Sequence, residues 1–266
     1  MNKFYKLLTI YLILYFGHAC WAEDMEITLA YVGSTEHSAY SGVNQGLEEG
    51  NLQGRFLGLN YDLVAFSTLE EVIESQGEIV AILAALSAEE LGYLSTKLRQ
   101  TPVFNLIAKD NLIRSDCLGN VLSIIPSRKM YEDAIMQWGR MHAQADVSAS
   151  AWHKDFVKFA ARDLNKRFHK SKAKYMDEYA WAGWAAFRMV ADTVARESIV
   201  DSVKMLDYLK TNLSFDGQKG MNMNFRETGQ LRQSLLIEEQ GELKGEAPVR
   251  GISSDMDSLG IRECSK

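Results

Sequence analysis

The sequence predicts an α/β protein: a parallel sheet flanked by helices near the N-terminus, then a mostly helical stretch and a C-terminal hairpin. Three observations carry this prediction. Between residues 25 and 125, short apolar runs alternate with amphipathic runs that open on helix-start signals. Those apolar runs are nearly continuous, the pattern of strands covered on both faces by helices. After Met141 the apolar spacing becomes helical and no strand pattern returns until the tail.

Met25 to Val32 (MEITLAYV) is the first strand and stops at Gly33-Ser34. Ser38 to Leu52 reads as a helix with small or apolar residues at Ala39, Val43, Gly46 and Leu47. Tyr61 to Phe66 is a second strand. Ser67 or Thr68, followed by Glu70 and Glu71, starts the next helix, because acidic side chains suit the positive end of the helix dipole. Glu78 to Leu83 is a third strand. Ser87-Ala88-Glu89-Glu90 resembles a capping box and opens a helix reaching Arg99. Pro102 to Ile107 and Val121 to Ile125 are the fourth and fifth strands, and Ser127 to Met141 is a helix.

His142 to Ser150 is small and polar and reads as a linker. Three helices and no strand follow between Trp152 and Leu209. They cover Asp155 to Phe168, Tyr175 to Arg196 and Val203 to Leu209. The second carries an aromatic stripe with the spacing of a buried face. In the tail, Met221, Met223 and Phe225, a turn at Glu227-Thr228-Gly229-Gln230, and Leu235-Leu236-Ile237 predict an antiparallel hairpin.

The first residues predict export. Lys3 and Lys6 precede an uncharged apolar run, Leu7 to Phe16, and Ala19-Cys20-Trp21-Ala22 puts small residues where a signal peptidase cuts. Residues 1–22 are therefore expected to leave, and the chain to work in the periplasm. A buried N-terminal helix is the other reading. The run is shorter than the ~20 residues a membrane span needs, and no later stretch approaches that length. Gly17 stands where a lipobox wants a Leu-like residue, so Cys20 does not read as a lipid attachment site. Cys117 and Cys264 then remain. An even pair in an oxidising compartment is most simply one disulfide, the alternative being two free thiols.

A hydrophobic content of 47% and a charged content of 24% suit a globular protein with one large domain or two small lobes. The formal net charge of -6 argues against a nucleic-acid surface, which needs a basic footprint. No GxSxG, P-loop, GxGxxG or HExxH occurs, and His37, His142, His153 and His169 lack ligand-like spacing. Neither a catalytic constellation nor a metal site is expected, and no cofactor. Lys166-Arg167 and His169-Lys170 through Lys174 form a basic run. It reads first as a solvated helix end and second as a contact for an acidic partner or lipid head groups.

Several segments carry a family resemblance: Gly54-Arg55-Phe56-Leu57-Gly58, Asp116-Cys117 through Ile125-Pro126-Ser127-Arg128, Ala151-Trp152-His153, Asp216-Gly217-Gln218-Lys219-Gly220, and Gly229-Gln230-Leu231-Arg232-Gln233-Ser234. With the order of elements, they resemble the type I periplasmic binding proteins, the solute-binding components of ABC transporters for branched-chain amino acids and related solutes. They look closest to a subgroup associated with PQQ-dependent alcohol dehydrogenase systems, in which Cys264 also has a counterpart. The resemblance implies a non-catalytic protein that binds a small molecule, with an ABC permease or a quinoprotein dehydrogenase as partner. A module that keeps only protein–protein contacts is the alternative. The chain departs from the family after Met141, where several β/α units of a second lobe are missing. The expected division is 23–141 as the parallel lobe, 142–214 as a reduced helical second lobe, and 215–266 as the hairpin and a tail returning to the first lobe.

Ligand contacts in such folds come from loops at the carboxyl ends of strands. Here these are Gly33 to His37, Ala84 to Ser87, and Asn105 to Lys109. The candidate ligand residues are Ser34, Thr35, Glu36, His37, Ser87 and Asn105. Trp152 joins them, as a stacking platform or as a seal for the shortened interface. Arg128 reads as a solvated cation or an anion contact.

Overall fold

The computed structural model describes residues 24–75, 77, 79–142 and 146–265, so the expected export segment lies outside the described residues. Five strands form a parallel sheet in the order β2-β1-β3-β4-β5. They are β1 (Met25–Gly33), β2 (Leu59–Phe66), β3 (Ile79–Ala85), β4 (Val103–Asn105) and β5 (Val121–Ser123). The expected α/β architecture is present. Residue 78, expected to open the third strand, lies outside the described residues.

The sheet is buried on both faces, which explains its unbroken apolar runs. In β1, Ile27, Leu29 and Tyr31 enter one core, and Ala30 and Val32 enter the other. The second core is closed by α2 (Leu69–Glu74) and α3 (Ala88–Lys97), which supply Val72, Leu91 and Leu94. Both helices open on full capping boxes. Thr68 pairs with Glu71, and Ser87 with Glu90.

The first core is larger and runs from β1 to Leu259. Its cover is α1 (Ser38–Gly54) packed on α7 (Glu178–Glu197). The two helices touch through glycines. A Cβ on Gly42 would fall 1.7 Å from the Ala180 carbonyl oxygen, and one on Gly183 would fall 2.2 Å from that of Ala39. Trp181, Trp184 and Phe187, the centre of the aromatic stripe, are buried, and the Tyr61 hydroxyl donates to the Ala191 carbonyl at 3.1 Å. The aromatic face is therefore covered and presents no exposed patch.

Three sequence expectations need correction. The linker at 142–150 contains a strand, β6 (Ser148–Ser150), antiparallel to β7 (Leu235–Glu239). The hairpin lies further along than expected. It joins β7 to β8 (Glu242–Ala247) through Gln240-Gly241, both at positive φ. Phe225 and Leu231 form only an isolated bridge. The first post-linker helix, α6 (Ala161–Lys172), begins six residues later than its apolar spacing suggests. The Asn165 amide there donates to the carbonyls of His153, Lys154 and Phe156 and holds 153–160 as a loop, with Phe159 at φ 55°. The remaining helices are α4 (Asn111–Ser115), α5 (Arg128–Met141) and α8 (Ser202–Thr211).

The free edge of β5 is sealed by the segment around Gly229-Gln230. Ser123 N donates to Gly229 O at 2.7 Å, and Leu231 N donates to Ser123 O at 3.0 Å. Gln230 also receives the fully buried Arg114 guanidinium at 2.9 Å. Gly229 has φ 73°, and a Cβ would meet Val121 O at 2.2 Å, so this position requires glycine. Cys117 and Cys264 are joined in a disulfide that ties the tail to the β4–β5 connection.

Candidate functional site

Strand order reverses between β1 and β3, because β1 leads outward to β2 and β3 leads the other way to β4 and β5. Loops leaving the carboxyl ends of adjacent strands separate at such a point and leave a crevice. Here an open cleft of about 630 Å³ occupies it. Its walls are Gly33 to Thr35 at the end of β1, Ala65 to Glu70 at the end of β2 and the start of α2, and Ala85, Leu86 and Glu90 at the end of β3 and the start of α3. Gly33 sits at φ 130°, and a Cβ there would lie 2.5 Å from Ala85 O, so glycine lets the β1 and β3 exits run side by side.

The predicted residues divide sharply. Ser34 and Thr35 line the cleft and are exposed, and Glu36 follows them, also exposed. His37 is instead the N-cap of α1: its Nδ1 accepts from Ala39 N at 3.2 Å, and its ring meets Tyr179 edge-on. Ser87 is committed to its capping box, with Oγ donating to Glu90 Oε2 at 2.7 Å. Asn105 is fully buried and saturated. Its Oδ1 accepts from Ile107 N and Ala108 N, and its Nδ2 donates to Ala108 O and Ser123 Oγ. Trp152 is 2% exposed, donates to Asn165 Oδ1 and stacks on Trp181, so it seals the interior. Arg128 is exposed at the first turn of α5.

The β2 exit was missed as a cleft wall. Ser67 and Thr68 were legible only as a helix start, yet they also stand at a strand's carboxyl end, and that position was the usable signal.

Beside the cleft, the β4 exit is filled by the chain itself. Glu178, in the first turn of α7, takes the Lys109 ammonium at 2.6 Å on Oε1. Its Oε2 takes the Tyr131 hydroxyl at 2.8 Å and Ala151 N at 3.0 Å. Lys109 Nζ lies over the rings of Tyr131 and Tyr179 at 4.6 and 5.0 Å. Burial pulls the Lys109 ammonium down, but the Glu178 hydrogen bond and charge outweigh it and hold the pKa above the ordinary lysine value. Burial, reinforced by the Glu178 charge, pushes the Tyr131 phenol up. Lys109 is thus spent within the fold and is not available to a ligand.

The cleft's chemistry follows from what it lacks as much as from what it holds. Hydroxyls of Ser34, Thr35 and Ser67 and the carboxylates of Glu70 and Glu90 line it, and no lysine or arginine is among its lining residues. The helix starts that face such a crevice are already occupied. Glu71 Oε2 accepts from Ser67 N and Thr68 N, and Glu90 Oε2 accepts from Ser87 N. The hydrogen bonds from Ser87 hold the Glu90 carboxyl below its usual pKa. An incoming carboxylate would meet like charge and no cation. A neutral polyol or an amine meets acceptors and hydroxyls.

No cluster of His, Cys, Asp and Glu suited to a metal is present among the described residues. No described helix is long and apolar enough to cross a membrane.

No protein-family model matches the chain, and no curated protein matches it. Solved structures do match. A substrate-binding protein of an ABC transporter from Desulfitobacterium hafniense superposes with a TM-score of 0.71 at 11% identity, over 83% of this chain and 99% of the other. The branched-chain amino acid substrate-binding protein LivJ of Streptococcus pneumoniae, solved with isoleucine, gives 0.66 at 8% identity over 84% and 99%. A periplasmic ligand-binding protein of a branched-chain amino acid ABC transporter from Burkholderia xenovorans gives 0.66 at 11% over 83% and 95%. The chain therefore has the fold of the periplasmic substrate-binding proteins that serve ABC transporters.

Proposed function

We propose that this protein is a non-catalytic solute-binding component that works in the periplasm, and that its ligand is a neutral polar or amine-bearing small molecule. The observation that carries the reading is the open cleft at the β1/β3 switch point, where apolar side chains such as Phe66 and Leu86 alternate with hydroxyls and carboxylates and no lysine or arginine is among the lining residues. A ligand carboxylate here would face the Glu70 and Glu90 carboxylates with no lysine or arginine to offset them, so this lining disfavours amino acid ligands held by their carboxylates. It equally disfavours a polyanionic cofactor such as PQQ. Within this reading, service to an alcohol-oxidising quinoprotein system would take the form of delivering an alcohol or polyol, or of docking to the dehydrogenase. The sequence motifs favour that system over a plain ABC importer. Residues 142–214 are read as the remnant of a second lobe, in which α7 has become cover for the first sheet.

A thermal-shift screen with alcohols, polyols, amines, amino acids and PQQ tests the proposal. A ligand at a hundred times its Kd contributes about 2.7 kcal/mol, a rise of several degrees for a chain of this size. Polyols or amines should raise the melting temperature and carboxylates should not. A rise confined to amino acids or PQQ, or no rise with any compound, contradicts the reading.

A further inference from the structure

We propose that the outer face of α6 and the loop before it form a docking surface for anionic lipid bilayers. Residues 161–174 carry six cations against one carboxylate, Asp163, on a chain with a formal net charge of -6. Three of the cations are ion-paired, Arg162 with the neighbouring Asp163 at 3.7 Å and two with α1. Arg167 reaches Glu49 at 2.8 Å and Lys172 reaches Glu48 at 2.6 Å, tying α6 to α1. Lys166, Lys170 and Lys174 are exposed and form no ion pair or hydrogen bond among the described residues. Their spacing of four places Lys166 and Lys170 on one stripe, opposite the buried Ala161, Leu164 and Phe168. Favourable interaction with the helix dipole accounts for cations in the last turn, but Lys166 lies before that turn.

Charge alone would suit any anionic partner. The apolar residues beside it choose the bilayer. Val157, Phe159 and Tyr175 are 60%, 62% and 63% exposed, at the two ends of the same helix. The loop that bears Val157 and Phe159 is pinned to α6 by the three Asn165 hydrogen bonds. The Tyr175 ring stacks on His169 and lies 5.9 Å from Lys154 Nζ. Aromatic and aliphatic tips at both ends of a row of lysines match a membrane interface, where the tips enter the head-group region and the ammonium groups meet phosphate.

The test is co-sedimentation of the exported protein, residues 23–266, with vesicles of phosphatidylcholine, with and without about 30% phosphatidylglycerol, at low and raised salt. A charge-reversed variant, Lys166→Glu with Lys170→Glu and Lys174→Glu, is measured alongside. Neither protein carries the apolar run Leu7 to Phe16, so their difference reports the α6 face. Each lysine near an anionic surface contributes about fivefold in partitioning, so the triple variant should bind anionic vesicles at least a hundredfold more weakly. Wild-type binding should fall with salt, and Val157→Ser should weaken it severalfold at unchanged salt dependence. Equal binding by wild type and triple variant overturns the proposal. So does binding of the wild type to soluble polyglutamate without binding to vesicles, which would assign the lysines to an acidic protein.

Discussion

At the scale of single residues, the polar side chains that look most like ligand contacts in the sequence hold the fold together instead. Asn105 stands at a strand's carboxyl end, the expected place for a ligand contact, but its amide locks the β4 exit through four hydrogen bonds. Asn105→Ala should cost about 1–3 kcal/mol in urea unfolding, because buried partners lose their bonds, and should leave the ligand preference of the cleft unchanged. Lys219 is the sharper case. The residue is 2% exposed, and its ammonium donates to Gln233 Oε1 and Ser234 O and lies 4.1 Å above the Trp181 ring. Burial still pushes it down to about 7. Between about 7 and the ordinary value of 10.5 the unfolded chain holds a proton that the folded chain does not, so stability rises with pH across that window and flattens below it. Unfolding free energies from urea titrations at pH 7.5 and 9.5 should differ for wild type by on the order of a kcal/mol or more, and much less for Lys219→Met. Nothing in the local sequence Gly217-Gln218-Lys219-Gly220 reveals this. The lysine is buried by residues far along the chain, and only the fold brings Trp181 and Gln233 to it.

At the scale of elements, the strands and caps were legible because each is set by neighbours in sequence. Thr68 and Ser87 cap as their patterns suggest, since a capping box needs only residues three apart. The errors fall where distant partners decide. β6 has no strand pattern of its own and exists because β7 offers it hydrogen bonds. Phe159 has helical spacing but is held in a loop by Asn165. The α1–α7 contact belongs to this scale as well, because its glycines read as weak helix positions until the helices are seen to touch. Gly183→Ala should destabilise by about 3 kcal/mol, because its methyl group would overlap the Ala39 carbonyl. Gly92→Ala in α3, where a Cβ meets nothing within 4 Å, should instead stabilise by about 0.5–1 kcal/mol. Paired thermal melts distinguish a helix-propensity effect, which would move both variants upward, from close contact.

At the scale of the whole molecule, the tail acts as a strap. It seals the β5 edge through Gly229 and Gln230, returns as a hairpin beside β6, and ends in the Cys117–Cys264 bond across 147 residues of sequence. Cys117→Ser with Cys264→Ser should lose about 2–5 kcal/mol, chiefly by freeing the unfolded chain, as read by urea unfolding under non-reducing conditions. The motif Gly229 to Ser234, which carried part of the family resemblance, thus serves this closure rather than a ligand. What survives as a candidate site is the crevice at the strand-order reversal. Its general position is legible from the β/α alternation, and Ser67 and Thr68 at a strand's carboxyl end signal a loop on the same side, but only the sheet order shows that β2 lies beside β1. The central claim, that this crevice takes a solute, is tested most directly by placing Thr35→Arg beside the wild type in the thermal-shift assay with the strongest polyol or amine hit. Thr35 is exposed, so the substitution should leave the unliganded melting temperature within about a degree. The account predicts that the ligand-induced rise disappears in the variant; an undiminished rise would contradict it.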